Sequence, residues 1–378
     1  MDWGLGHASR CIPVIKAFIE AGCHVVVASS GPGSELIKRE PGMEKVDIFP
    51  FPGFSVSYSR YWLFGKLLIQ IPSIIHHIER ERRSLSTLTR TIRPDLIVSD
   101  NRYGLVHETI PSVMITHQLN PVLPFLMKPL ESPLSEIIRR WVSRFNECWI
   151  PDLPGAPAAG RLAGGWDRMS CYRFTGWLSR FQEESPQMPV KGDQKEGRMV
   201  RSRKVEVGDR SGFRYRVLFI LSGPEPQRTM LEKKIISQSR TFGIKALLVR
   251  GLPSAPYKME SAGKLDIISF LDSTNLKKAI CSSGLVVCRS GYSSVMDLLV
   301  LGKKAVLVPT PGQTEQEYLA DRLDRKGWFA TVNQKDFNIE TFVAPDTFSE
   351  KTPSGLLKYE GDNLLKDCVK KALKKYCP

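Results

Sequence analysis

The sequence predicts an α/β protein built from two doubly wound halves that face a cleft. Three observations carry this expectation. Short continuous apolar runs alternate with amphipathic stretches, the mark of a parallel sheet covered on both faces. The alternation occurs twice, once on each side of a stretch rich in Pro, Gly and charge. The length, 378 residues, suits two or three domains at roughly 150 residues each.

In the first half the apolar runs at 23–29 (CHVVVAS), 46–51, 95–100 (DLIVSD), 112–116 (SVMIT) and 148–151 read as strands. Residues 8–21, 67–93 and 133–145 read as helices, with an interruption expected at Pro72. The second half is cleaner. Strands are expected at 216–221 (RVLFIL), 245–250, 265–270, 285–289, 305–309 and 329–332, and helices at 227–240, 274–281, 293–301 and 315–325. Ser273 is placed to cap the second of these helices and Gly302 to end the third. A basic helix is expected at 366–376. Residues 187–214 carry neither apolar period and read as an exposed, poorly ordered basic insertion. The expected domains are therefore 1–150, a linker over 151–215, and 216–378.

Composition bounds the function. Hydrophobic residues make up 42% and charged residues 25%, which excludes wholesale disorder. The 54 Lys and Arg against 39 Asp and Glu leave +15, a surplus that favours anionic partners such as phosphates, nucleotides or an anionic lipid surface. No apolar run reaches the ~18 residues of a spanning helix, and the start, MDWGLGHASR, has no signal-peptide core. A cytoplasmic protein is the expectation. The eight cysteines form no C-x-x-C and no zinc-ligand spacing, so they read as small, reduced core residues and no metal site is expected. No recognised nucleic-acid module occurs, so nucleic acid is not an expected partner.

Three constellations carry chemistry. The first, Asp2-Trp3-Gly4-Leu5-Gly6-His7-Ala8-Ser9-Arg10, runs into a helix with Ile12, Ile15 and Ile19 on one face. Glycines there let backbone approach a ligand, and His7 is placed to act as a base. Such a turn ordinarily follows a strand, yet three residues precede it, so the first strand is expected to be missing from this chain. Ser9 replaces the third Gly of a dinucleotide fingerprint and no acidic residue follows the strand ending Ser29-Ser30-Gly31, which argues against NAD. The second constellation, Arg289-Ser290-Gly291-Tyr292-Ser293-Ser294 with Asp297 one turn on, is a seat for a pyrophosphate with a carboxylate for ribose hydroxyls; helix capping by Ser293 is the bland alternative. The third, Pro309 to Tyr318, puts Gln316 and Glu317 in a first helical turn, where they can read sugar hydroxyls. Asp100, at the end of one strand, and His117, Gln118 and Asn120, after the next, point polar groups into the cleft for acceptor binding or to assist the base.

Together the second and third constellations resemble the donor-binding segment of the MurG-like, family 28 UDP-sugar glycosyltransferases. Residues 286–330 show a strand, Arg289-Ser290-Gly291, the acidic Asp297, Leu301-Gly302-Lys303-Lys304-Ala305, Pro309 and Gln316 in the family's order. Gly4 to His7 is similar to the family's N-terminal turn, and Thr175 to Arg180 and Leu221-Ser222-Gly223 are weaker matches. The resemblance implies the GT-B fold: two Rossmann-like domains with the donor held mainly by the second. It implies Leu271 at the base, Ser293 and Ser294 with Arg180 at the diphosphate, Asp297 at the ribose, and Gln316 and Glu317 at the sugar. It departs from the family at Asp297 and Glu317, which replace Glu and Gln, and at Ser222 to Gln227, which replace a Gly-rich loop.

The implied activity is transfer of a sugar from a UDP-sugar, UDP-GlcNAc first among candidates, to a hydroxyl of a lipid-linked or glycan acceptor. The transfer is expected to be inverting and metal-independent, with no cofactor besides the co-substrate. Two alternatives stand: an enzyme like UDP-GlcNAc 2-epimerase, which needs cleft carboxylates not evident here, and a nucleotide-sugar-binding protein without turnover. Residues 58–75 (YSRYWLFGKLLIQIPSII) combine aromatics with Arg60 and Lys66. They read as a peripheral patch for an anionic membrane, at the inner face of the cell membrane, or else as a core helix.

Overall fold

The computed structural model describes residues 5–51, 63–169, 171–181, 214–241, 243–343 and 361–377. Gly4, the calls on 58–62 and those on 187–213 lie outside the described residues, as do the side chains of 63–75. The first half runs α1 (Leu5–Glu20), β1 (Val26–Ala28), α2 (Gly31–Lys38), β2 (Asp47–Phe49), α3 (Leu63–Ile92), β3 (Ile97–Asp100), β4 (Ser112–Ile115), α4 (Glu131–Val142), β5 (Glu147–Ile150) and β6 (Tyr172–Phe174). The second runs β7 (Tyr215–Ile220), α5 (Gln227–Ser239), β8 (Ala246–Val249), β9 (Met259–Ala262), β10 (Leu265–Ile268), α6 (Ser273–Cys281), β11 (Ser283–Cys288), α7 (Tyr292–Val300), β12 (Ala305–Leu307), α8 (Thr314–Arg325), β13 (Ala330–Thr331), α9 (Glu340–Val343) and α10 (Gly361–Tyr376).

The second half forms one sheet of order β13-β12-β11-β7-β8-β10-β9, parallel except where β9 closes an antiparallel hairpin on β10. Its central strands, such as β7 (YRVLFI) and β11 (SGLVVC), are apolar on both faces because helices cover both. In the first half β3-β4-β5-β6 form a parallel sheet and β1-β2 a separate parallel pair. α1 joins them: Ala8, Cys11, Ile12 and Ile15 pack with Val27 and Leu36, while Val14, Ala17 and Phe18 pack with Val113, Met114 and Trp149. A helix apolar over more than one stripe is one buried between two layers.

The structure adds to or alters several expectations. α2, β6 and β9 were not expected, and α3 is continuous through Pro72. β6 extends the first sheet from within the stretch expected to be linker. α10, grouped by sequence with the second domain, returns to the first: Lys366 pairs with Glu20, and the Tyr376 hydroxyl reaches Glu147. Ser273 does not cap α6. Asp272 does, its carboxylate accepting from Asn275 N at 2.8 Å, and Ser273 Oγ donates instead to Glu40 at 2.6 Å. Cys11, Cys148, Cys288 and Cys368 are buried as expected, but Cys171 and Cys281 are exposed. The domains touch closely: Gly160 sits at φ +58°, and a Cβ there would lie 2.4 Å from the Arg322 guanidinium of α8.

Candidate active site

The site is assembled where the carboxyl ends of β3 and β4 meet the N-termini of α1, α7 and α8. α1 presents His7 and, one turn later, Arg10. β3 ends at Asp100, whose flanking loop is anchored to α3: Arg102 pairs with Glu81 at 2.7 Å and Gly104 N donates to the same carboxylate at 3.0 Å. Asp100 is thereby fixed opposite α1. Its Oδ2 lies 2.8 Å from His7 Nδ1, and its Oδ1 accepts from Arg10 Nε at 2.8 Å and also from Nη2. The His7 side chain is 17% exposed and the Asp100 side chain 1%.

Burial alone would raise the Asp100 pKa. The charges of Arg10 and His7, with their hydrogen bonds, outweigh it and hold this carboxyl well below the ordinary carboxylate range. A carboxylate at hydrogen-bond distance from an imidazole nitrogen requires the proton on that nitrogen. Arg10 Nη2 also lies 2.9 Å from Nδ1 but donates to Asp100 Oδ1, so the assignment that serves Asp100 puts the proton on His7 Nδ1 and the lone pair on Nε2. A carboxylate that fixes a histidine tautomer is the arrangement of a general base.

The second domain closes on this pair. β11 ends in Arg289-Ser290-Gly291 and α7 begins at Tyr292. Gly291 supplies no side-chain cap to α7. Ser293 Oγ donates to Gly6 O at 2.7 Å, which ties the two Gly-rich turns together, and a Cβ on Gly6 would stand 3.2 Å from that hydroxyl. The Tyr292 ring stacks on His117 with centroids 4.1 Å apart, and its hydroxyl donates to Pro151 O at 2.8 Å.

The expected donor residues fall in one region, and Asp297, Arg180, Gln316 and Glu317 are engaged by protein groups. Asp297 is buried, accepts from Ser179 Oγ at 2.6 Å and pairs with Arg180 at 3.5 Å. Burial pushes its pKa up against the pull of Arg180 and Ser179. Gln316 Oε1 accepts from Thr310 N at 2.9 Å and Glu317 Oε1 from Gly312 N at 2.9 Å, so both brace the loop that leaves β12. Ser294 and Leu271 are half-buried at the same edge. On the acceptor side, Gln118 donates to Glu315 and accepts from Asn101 at 3.1 Å. Asn120 turns away into its own domain, where it donates to Arg161 O and Gly164 O at 2.9 and 2.6 Å and accepts from Arg139. Arg10, Tyr292 and Glu315 are central here, and sequence reasoning had given them no role. The available signal was a charged residue one turn after His7, among the apolar residues that lead the helix.

Comparison with known proteins places the second domain. Residues 250–345 match the family model described as Glycosyltransferase family 28 C-terminal domain. The chain carries a C-terminal domain of glycosyltransferase family 28 on a GT-B fold. Among relatives of the transferase, an uncharacterized glycosyltransferase of Methanosarcina acetivorans is 24% identical over 86% of this chain and 80% of its own. A Methylobacterium radiotolerans UDP-N-acetylglucosamine--N-acetylmuramyl-(pentapeptide) pyrophosphoryl-undecaprenol N-acetylglucosamine transferase is 39% identical, over 22% of this chain and 23% of its own. In fold the transferase resembles MurG of Acinetobacter baumannii, with a TM-score of 0.53, 13% identity and coverage of 98% and 96% of the two chains. It also resembles the glycosyltransferase SnogD of Streptomyces nogalater, with a TM-score of 0.58, 12% identity and coverage of 98% and 97%. No helix among the described residues is long and apolar enough to cross a membrane.

Proposed function

We propose that this transferase moves a sugar from a UDP-sugar, with UDP-GlcNAc the first donor to test, to a hydroxyl acceptor, inverting the anomeric centre and using no metal. The observation that carries the reading is the His7–Asp100 pair, 2.8 Å apart and joined through Gly6 to the start of α7. In the transfer, His7 Nε2 takes the acceptor O–H proton. The acceptor oxygen forms its bond to the anomeric carbon as the bond from that carbon to the diphosphate oxygen breaks, and UDP leaves with the electron pair. The N-terminal N–H groups of α7 and the Arg180 guanidinium meet the charge that develops on the leaving group. Asp297 serves the ribose, Leu271 the base, and Gln316 and Glu317 the sugar, each exchanging a protein contact for a ligand contact.

Several neighbours support a nucleoside diphosphate. The glycosyltransferase VinC was solved in complex with dTDP, and it resembles this chain with a TM-score of 0.54 at 14% identity. The relative from Methylobacterium is named for a UDP-N-acetylglucosamine donor and an undecaprenol-linked acceptor. A lipid-linked acceptor would be met at the cytoplasmic face of a membrane. Besides residues 58–75, the turn after β4 supports peripheral contact there: Phe125 is 79% exposed, Leu126 is 76% exposed, and Lys128 lies over the Phe125 ring. An epimerase is disfavoured because the cleft carboxylates nearest His7 are already engaged, Asp100 by Arg10 and His7, and Glu315 by His117 and Gln118.

The test is UDP release from a panel of nucleotide sugars. Release from at least one donor is expected, with His7→Ala slower by about 10²-fold or more and UDP affinity within about twofold of wild type. No release from any donor, or a His7→Ala rate equal to wild type, overturns the reading.

A further inference from the structure

We infer that Glu315 is a positioning residue that assembles the base only when the donor-binding domain sits closed on its partner. The inference rests on the reading of His7 as the base. Its observation is a continuous run of hydrogen bonds from α8, in the second domain, to His7 in the first. Glu315 Oε1 lies 3.0 Å from His117 Nε2. His117 Nδ1 lies 3.1 Å from Arg10 Nη1. Arg10 Nε and Nη2 hold Asp100 Oδ1, and Asp100 Oδ2 lies 2.8 Å from His7 Nδ1. The other Glu315 oxygen accepts from Gln118.

The protons from Glu315 to Asp100 have one consistent arrangement. His117 is buried, and burial lowers its pKa against the pull of Glu315. A neutral His117 donates from Nε2 to Glu315 and so presents its Nδ1 lone pair to Arg10. Arg10 donates onward to Asp100, and Asp100 accepts from His7. The opposite tautomer of His117 would set an N–H against the Arg10 guanidinium and leave Glu315 facing a lone pair. Glu315 therefore selects the tautomer that keeps Arg10 seated on Asp100.

Position gives Glu315 its role in closure. Every other member of the run belongs to the first domain: His7 and Arg10 to α1, Asp100 to β3, and His117 to the loop after β4. Glu315 comes from the first turn of α8, beside Gln316 and Glu317. The same domain stacks Tyr292 on the His117 ring, so His117 is held between a ring and a carboxylate that arrive together. A donor domain swung away would remove both. Arg10 Nη2 also lies 2.9 Å from His7 Nδ1, so an Arg10 that shifts from Asp100 would compete for the nitrogen whose proton defines the base.

The experiment compares Glu315→Ala, Glu315→Gln, His117→Ala and the Glu315→Ala/His117→Ala double variant in the full chain. It measures UDP release from the fastest donor of the panel, with water as acceptor, and UDP affinity by calorimetry. The expected result is a turnover loss of about tenfold or more in Glu315→Ala with UDP affinity within about twofold, a partial recovery in Glu315→Gln, and a double variant no slower than His117→Ala. Equal loss of affinity and turnover would make Glu315 a donor ligand, additive losses would uncouple it from His117, and wild-type turnover would give it no role. Each of these overturns the inference. His7→Ala run alongside separates the cases: if it abolishes release while Glu315→Ala does not, the base reading stands and the positioning role falls.

Discussion

Replacing Asp100 by Asn should damage stability and catalysis together, for separable reasons. The Arg10 side chain is 2% exposed and the Asp100 side chain 1%, so the pair lies out of water. Asn keeps the shape and an Oδ1 acceptor for Arg10 but removes the charge, which leaves Arg10 a buried cation with only neutral acceptors, this amide oxygen and His117. Breaking one side of a buried ion pair costs about 3–5 kcal/mol, against roughly 0–1 for a surface pair. Urea unfolding at pH 7 measures it. The double variant Arg10→Met/Asp100→Asn should recover most of the loss, since it removes the stranded charge as well. The pH dependence has a definite sign. Asp100 is held below the ordinary range when folded, so its contribution is complete above the unfolded carboxylate's pKa of about 3.9 and is lost as pH falls from there towards the folded value. Wild type and variant should therefore differ by a constant amount from about pH 5 to about pH 8 and converge in stronger acid. In catalysis, the Asn amide would donate to His7 Nδ1 and move the imidazole proton to Nε2, the wrong tautomer for a base, with turnover lower by about 10³-fold or more. A stability loss under about 1 kcal/mol, or turnover within tenfold of wild type, would refute the assignment of Asp100 as the buried partner of both groups.

Other outcomes follow from the same geometry. Asp297→Ala should weaken UDP binding by roughly 1.5–3 kcal/mol, the value of a charge-assisted hydrogen bond; unchanged affinity by calorimetry would remove Asp297 from the donor site. Burial lowers the His117 pKa, so the unfolded chain takes up a proton that the folded one refuses as pH drops below about 6.5. His117→Gln should accordingly flatten the loss of stability in that window, and a denaturation midpoint with the same pH slope as wild type would contradict this. Binding to anionic vesicles should be peripheral and weaken with salt, because the charge on a chain of +15 is screened. Removing the apolar exposure with Phe125→Ser/Leu126→Ser should reduce co-sedimentation, and vesicle binding that is absent, or indifferent to salt and to these residues, would return the acceptor to water.

The second-domain sheet was legible because its strands are buried on both faces and therefore read as unbroken apolar runs; β7 and β11 stand within one or two residues of their expected limits. β9 (MESA) was not, since it is an edge strand with alternate residues exposed and its pairing comes from a hairpin. β6 is three half-buried residues, and α2 opens Gly-Pro-Gly and is too short to show a helical period. At the site the chemistry was legible residue by residue, as with His7 and Asp100, but their pairing spans 93 positions and depends on which sheet edge faces α1. Arg10 and Glu315 escaped notice because a charge in an amphipathic helix reads as a solvated face. Asp100 and His117, distant in sequence, and His7 beside it make Arg10 a buried one.

Four of the residues expected to read the donor are satisfied by the protein itself. Ser293 donates to Gly6 O, Asp297 accepts from Ser179, Gln316 accepts from Thr310 N, and Glu317 accepts from Gly312 N. A ligand that reaches them exchanges one hydrogen bond for another, and such an exchange contributes far less than the gross strength of the bond gained. Affinity in this cleft must therefore come from groups whose partners improve on binding, above all the uncapped N-terminus of α7, where an anion meets backbone N–H groups and a helix dipole together. The Ser293–Gly6 bond has a different consequence, because it crosses between the domains. A diphosphate that takes the Ser293 hydroxyl loosens the same junction that brings Glu315 to His117. Donor binding and assembly of the base thus draw on one interface. On the proposed reading the donor would replace the contact it breaks, holding the domains together through its own phosphates and sugar, before His7 received the acceptor proton.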